Sequence, residues 1–283
     1  MGLSWAHLLG DVLSASTFIN TWAQIMAGHV PQKPTHVPSR EKTNYDSKRL
    51  APKKPMSLKE LEPVGNHWQI TANNRQNMKT HSFQVTFGQL DLSISNACGN
   101  KASNFAPFEM ISAVIWKSLS RIRENLGPQA VTICCYDSRG KEDSEIPNNK
   151  GMVLGTVEAD ALEFDVSELA LRIAKKRTVE NDAIDKMVGQ ENGTVDYFVY
   201  GANLTFVNLE EIGIYELEVK GQRPVFANYT IGGVGEEGLV MVLPLGPSHG
   251  EKKDTNGRTI TVILPEDQLA LLKNELKEHW NIS

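Results

Sequence analysis

Apolar residues recur every three or four positions through Phe108, Ile111, Val114, Ile115, Leu119 and Ile122, with Lys117, Arg121 and Arg123 opposite. That period marks one face of an α-helix, and Pro107 suits its first turn, where the missing N–H has no partner to lose. A second helix is predicted over 12–27 from Val12, Ala15, Ile19, Trp22, Ala23 and Met26, with Asp11 as N-cap and Gly28 as stop. Residues 163–190 predict one long helix around Leu169, Leu171, Ile173 and Ala174, continuing past Ile184 and Met187. Pro265 and Glu266 open a C-terminal helix whose Leu269, Leu272 and Leu276 are spaced to face a core. Strands are predicted at 2–6 (GLSWA, the end of a buried strand), 67–72, 81–94 and 130–136 (AVTICCY). From Tyr197 the pattern is β-rich: YFVYGANLTFVNL, IGIYELEV, VFANYTI, GLVMVLPL and RTITVIL. Glycines 232, 233, 235 and 238 predict a hairpin turn between VFANYTI and GLVMVLPL. Helices and strands interleave, so the class is α/β or α+β.

Composition narrows this picture. With 283 residues and 40% hydrophobic residues the chain can bury a large core, which excludes disordered, collagen-like and coiled-coil classes. A net charge of −5 gives no global electrostatic case for nucleic acid or an anionic membrane. No apolar run reaches the ~20 residues of a spanning helix, and His7 and Asp11 interrupt the only run that resembles a signal peptide. Cys98, Cys134 and Cys135 make no disulfide framework and fit a reducing compartment. Six of the 13 prolines fall between 30 and 65, among many lysines and arginines, as in an exposed linker.

The sharpest local feature is His7-Leu8-Leu9-Gly10-Asp11, an HxxxD between an apolar run and an amphipathic helix. A histidine on such a turn can face a cleft, and an imidazole with a pKa near ~6.5 can accept a proton at neutral pH. Spacing alone leaves two readings open: a general base, or a satisfied core histidine followed by a helix cap. A metal site is disfavoured, because Gly10 and a capping Asp11 take the pair off one helical face, and no third ligand is suitably spaced.

GLSWAHLLGD with the helix SASTFINTWAQIMAG resembles the HxxxD segment of the plant BAHD acyltransferases, CoA-thioester-dependent enzymes built from two half-domains of chloramphenicol-acetyltransferase type. FAPFEMISAVIWKSLSRIRE is similar to the family's helix after its crossover loop. YDSRGKEDSEIP is similar to its Arg-bearing strand end, and IYELEVKGQRPVFANYTIGGVGEEGLVMVLP to the segment that carries DFGWG. The resemblance implies mixed sheets flanked by helices. It implies His7 as the base that deprotonates the acceptor, and Asp11 as a structural residue paired with Arg139, eight residues before Pro147. It also implies acyl-CoA as co-substrate, with no bound cofactor and no metal. Two departures stand out. Glu218-Val219-Lys220-Gly221-Gln222 replaces DFGWG, and GMVLGT at 151–156 replaces a YFGN-like segment.

Only six residues precede the HxxxD, so the resemblance predicts that most of an N-terminal half-domain is lacking. The expected division is 1–36 as its remnant, 37–65 as crossover linker and 66–283 as the C-terminal half-domain. Within the family, YGANLTFVNLEEIGIYELEVKG without DFGWG is most similar to the eceriferum branch of wax biosynthesis. That likeness implies very-long-chain fatty acyl elongation for cuticular wax, as an accessory to the elongase condensing enzyme at the cytosolic face of the endoplasmic reticulum. The alternatives are a catalytic O- or N-acyltransferase with His7 as base, a cytosolic location, and a fragment without function of its own.

Overall fold

The runs AVTICCY and LVMVLP carry apolar residues at almost every position, which only strands covered on both faces of a sheet can accommodate. The computed structural model describes residues 1–30, 54–61, 77–98, 105–123, 129–136, 152–190, 196–247 and 257–282. In chain order the elements are α1 (Val12–Met26), β1 (Lys59–Leu61), β2 (Met78–Val85), α2 (Phe87–Cys98), α3 (Pro107–Ile122), β3 (Ala130–Tyr136) and β4 (Met152–Glu158). Then follow α4 (Val166–Lys175), β5 (Thr178–Val179), α5 (Asn181–Gln190), β6 (Asp196–Phe198), β7 (Leu204–Asn208), β8 (Leu239–Pro244), β9 (Arg258–Pro265) and α6 (Glu266–Trp280). Seven strands form one mixed sheet in the order β2-β9-β8-β7-β3-β4-β5, while β1 pairs with β6. The β3–β7 and β7–β8 pairs are parallel and the other pairs antiparallel.

Alternation along each strand divides the core. Ile133, Phe206, Val240, Val242, Ile260 and Val262 face α3, α4 and α6, where Trp116, Leu119, Leu169, Leu272 and Leu276 are buried. The predicted core face of the C-terminal helix is therefore correct. Cys134, Val207, Leu239, Met241 and Ile263 face the other way, against Val12 of α1.

Several predicted elements differ, each for a local reason. Residues 2–6 form no strand. The segment curls back, Trp5 Nε1 donates to the Gly10 carbonyl at 2.9 Å, and its ring packs on Phe18 at 5.5 Å, so its backbone joins no ladder. The strand expected over 81–94 stops at Val85. Thr86 and Gln89 form a reciprocal capping box, in which Thr86 N donates to Gln89 Oε1 at 3.0 Å and Gln89 N to Thr86 Oγ1 at 3.3 Å, and this starts α2. The long helix over 163–190 is broken at 176–180, where β5 pairs with β4 opposite Gly155. A Cβ at Gly155 would lie 2.8 Å from the Thr178 carbonyl oxygen, so the glycine admits the extra strand.

IGIYELEV and VFANYTI are not strands, and no hairpin links VFANYTI to β8. Because β8 runs parallel to β7, the chain must cross back between them, which residues 209–238 do in irregular form. Tyr215 fastens the crossover: its hydroxyl accepts from Ala227 N at 3.1 Å and lies 3.3 Å from the Ala227 carbonyl oxygen. The predicted strand at 67–72 and the loop at 137–151, with Arg139, lie outside the described residues.

Candidate functional site: the HxxxD turn and two cavities

A short 3-10 turn over His7–Leu9 leads into α1. Gly10 closes it with φ 143° and ψ 174°, a conformation open to glycine and almost nothing else. A Cβ there would stand 2.7 Å from Ser14 Cβ. Gly10→Ala is therefore expected to lower stability by about 2 kcal/mol from backbone strain alone, read as a lower unfolding midpoint. Asp11 is the N-cap the sequence predicts: its Oδ1 accepts from Ser14 N at 2.9 Å and from Ser14 Oγ at 2.8 Å.

His7 is exposed, so the core-histidine reading is withdrawn. Its Nε2 lies 3.3 Å from the Tyr200 hydroxyl, with ring centroids 5.8 Å apart. Tyr200 was not foreseen, since a tyrosine 193 residues away in sequence carries no local signal. Burial, then Cys134, Tyr229 and Asp11 nearby, push the Tyr200 hydroxyl well above the usual phenol range. Burial followed by the Asp11 carboxylate does the same for Tyr136 and Tyr229. The Asp11 carboxylate at the head of α1 thus acts on three phenols, each of which holds its proton more tightly than a free tyrosine. A protonated Tyr200 can donate to the Nε2 lone pair of a neutral imidazole, which occupies one of the two nitrogens a general base could use.

At the positions of the family's DFGWG, Val219 N donates to the Gln222 carbonyl at 3.0 Å and Gln222 N to the Val219 carbonyl at 3.1 Å. Lys220 and Gly221 between them have φ 52° and 74°. Two successive positive φ values define a type I′ turn, in which a lysine at the first position is strained by about 1 kcal/mol. Arg223 Nε donates to Glu218 Oε2 at 3.1 Å. The family resemblance marks these positions but not their conversion to a tight hairpin, because Lys-Gly is a weaker turn signal than Asn-Gly.

Two cavities reach the first turn of α1, one at Val12 and the other at Leu13. One, of about 710 Å³, lies between α1 and the crossover and is lined by Trp5, Ala15, Ile19, Ile214, Leu217 and Val219 among others. The second, of about 640 Å³, opens between the start of α3 and the end of α4. There Arg177 Nη1 donates to Cys135 Sγ at 2.7 Å, and the buried Oε2 of Glu109 has no hydrogen-bond partner among the described residues. Burial, then the Glu210 charge, raise the Glu109 pKa above the ordinary carboxylate value. The folded state therefore holds this proton more tightly than the unfolded chain. Its contribution is fully present below the unfolded pKa and is lost as pH rises through the folded one. Glu109→Gln is expected to flatten that dependence and to stabilise the protein by about 1 kcal/mol at pH 8, checked by urea titrations at pH 4 and 8.

Among the described residues, no three His, Cys, Asp or Glu side chains come together to hold a metal ion. No helix of the described residues is long and apolar enough to cross a membrane.

A model of the Transferase family matches residues 1–279. Protein ECERIFERUM 2 of Arabidopsis thaliana is 39% identical over 279 residues, covering 98% of this chain and 61% of its own length. Protein ECERIFERUM 26 of the same plant is 31% identical over 279 residues, covering 98% of this chain and 62% of its own. The chain thus spans about three fifths of the length of these curated relatives. Among solved structures, vinorine synthase is similar at TM-score 0.55 and 18% identity, over 92% of this chain and 58% of that one. TRI101 of F. graminearum in complex with coenzyme A and T-2 mycotoxin is similar at TM-score 0.59 and 14% identity, over 96% and 63%. At those identities the two structures establish a shared fold.

Proposed function

The chain belongs to the Transferase family, the BAHD acyltransferases, and from that premise we propose that it is an accessory factor in very-long-chain fatty acyl elongation for cuticular wax. In this reading it works beside the elongase condensing enzyme at the cytosolic face of the endoplasmic reticulum, handling acyl-CoA without transferring the acyl group. The observation that carries the proposal is the 39% identity to Protein ECERIFERUM 2 along nearly the whole chain. Two features of the site support it: a self-paired turn stands in place of DFGWG, and Tyr200 sits against Nε2, one of the two ring nitrogens through which His7 could act. Coenzyme A in TRI101 supports acyl-CoA as the molecule handled.

The test is to produce the protein together with a plant condensing enzyme in yeast and to measure acyl chain lengths by gas chromatography. The proposal predicts longer chains than with the condensing enzyme alone, equally with His7→Ala. Loss of the longest chains in His7→Ala would contradict it.

A second reading, acyl transfer with His7 as general base, is favoured by one observation. The HxxxD turn is intact, capped and exposed to an incoming acceptor. A positioned base contributes roughly 10²–10⁴-fold in rate, so this reading predicts that His7→Ala removes nearly all activity.

A further inference from the structure

We propose that the groove between α1 and the crossover holds a single long-chain fatty acyl group, with the anionic head of that molecule at Lys220. Its walls are apolar on both sides: Trp5, Ala15 and Ile19 face Ile214, Leu217 and Val219 across about 710 Å³. Of the described residues that line it, only Lys220 and Arg223 have charged side chains, and both are cations at the hairpin. Arg223 is already joined to Glu218 at 3.1 Å. Lys220 stands at the tip of the turn with φ 52°, where glycine or asparagine would be relaxed. A strained cation at the rim of an apolar slot is an arrangement suited to an amphiphile, with a methylene chain inside and an acid group outside. A peptide fits less well. The edges it would need are engaged, because Val219 and Gln222 use their N–H and C=O groups on each other. The choice of a fatty acyl chain as natural ligand rests on the function proposed above, whereas the binding itself does not.

Trp5 in the groove wall provides the reporter. The protein would be titrated with dibromostearate, whose bromines quench an indole they touch. Expected is saturable quenching at submicellar concentration, largely lost in Trp5→Phe. Affinity should fall roughly tenfold in Val219→Glu, which places a charge in the slot. Lys220→Gly should weaken binding of the acid several-fold and leave binding of the dibrominated fatty alcohol unchanged, although it relaxes the turn. Far-ultraviolet circular dichroism checks that each variant folds, and the conservative Trp5→Phe keeps the test valid if Val219→Glu does not.

Equal quenching in wild type and Trp5→Phe would place the ligand elsewhere and overturn the proposal. So would non-saturating quenching, or quenching seen only with brominated phospholipid vesicles, which would indicate a membrane surface. Saturable binding combined with unchanged chain lengths in yeast would refute the elongation role and leave the groove assignment standing. The converse result would refute the groove assignment alone.

Discussion

Trp116→Ala is expected to destabilise the protein by about 3–5 kcal/mol, the range for removing a large aromatic side chain from a packed core. Trp116 is completely buried, the largest of the fully buried side chains among the described residues, and lies midway along α3. That helix contacts α4, α6, β7 and β8, so the cavity would open where three helices meet the centre of the sheet. Interiors packed to crystal density relax only partly around such a loss. A chain of this size should lose on the order of 10 °C in unfolding midpoint. The urea midpoint should fall with an unchanged slope, since the surface exposed on unfolding is nearly the same. Leu271→Ala on the exposed side of α6 is the control, expected within about 0.5 kcal/mol of wild type because its side chain is half exposed.

The second large effect is at Glu180, only 7% exposed. Its Oε1 accepts from Met56 N at 3.0 Å and from Thr156 Oγ1 at 2.9 Å, and its Oε2 accepts from Ser57 N at 2.8 Å. One carboxylate thereby fastens the segment before β1 to β4. Asn203 adds a bond from Nδ2 to the Met56 carbonyl at 2.6 Å. Glu180→Ala removes the acceptor and leaves three donors without a partner, two of them backbone amides. Charge-assisted bonds contribute about 1.5–3 kcal/mol each, and their effects overlap, so a loss of about 3 kcal/mol is expected. Trypsin should then cut after Lys59 well before it cuts the sheet, whereas Lys54 is shielded by Pro55. Cleavage there at the wild-type rate would show that Glu180 does not hold the segment.

The elements legible from the sequence were those whose signals are local. AVTICCY spans the whole of β3, because a continuous apolar run can be buried on both faces only in the middle of a sheet. Asp11 announces α1 by its capping chemistry, and Pro107 announces α3. What escaped depends on residues far apart in sequence. Gly155 makes room for β5, which divides a pattern that by itself reads as one helix. The parallel pairing of β7 with β8 forces 209–238 to serve as a crossover, so its alternating residues never become strands. The capping box at Thr86 and Gln89 was readable but was masked by the β-like residues on either side. At the site, His7, Asp11 and the altered DFGWG positions were identifiable by resemblance. Tyr200, Tyr136 and the groove arise only from tertiary packing. Glu180 carried no local mark, because its ligands come from Met56, Ser57 and Thr156.

The most direct measurement of whether this fold still performs transfer is release of free thiol from very-long-chain acyl-CoA, with the purified protein and long-chain alcohols or amines as acceptors. Release at the uncatalysed rate is expected, identical in wild type, His7→Ala and Tyr200→Phe. Saturable thiol release that disappears in His7→Ala would contradict it and make the protein an acyltransferase.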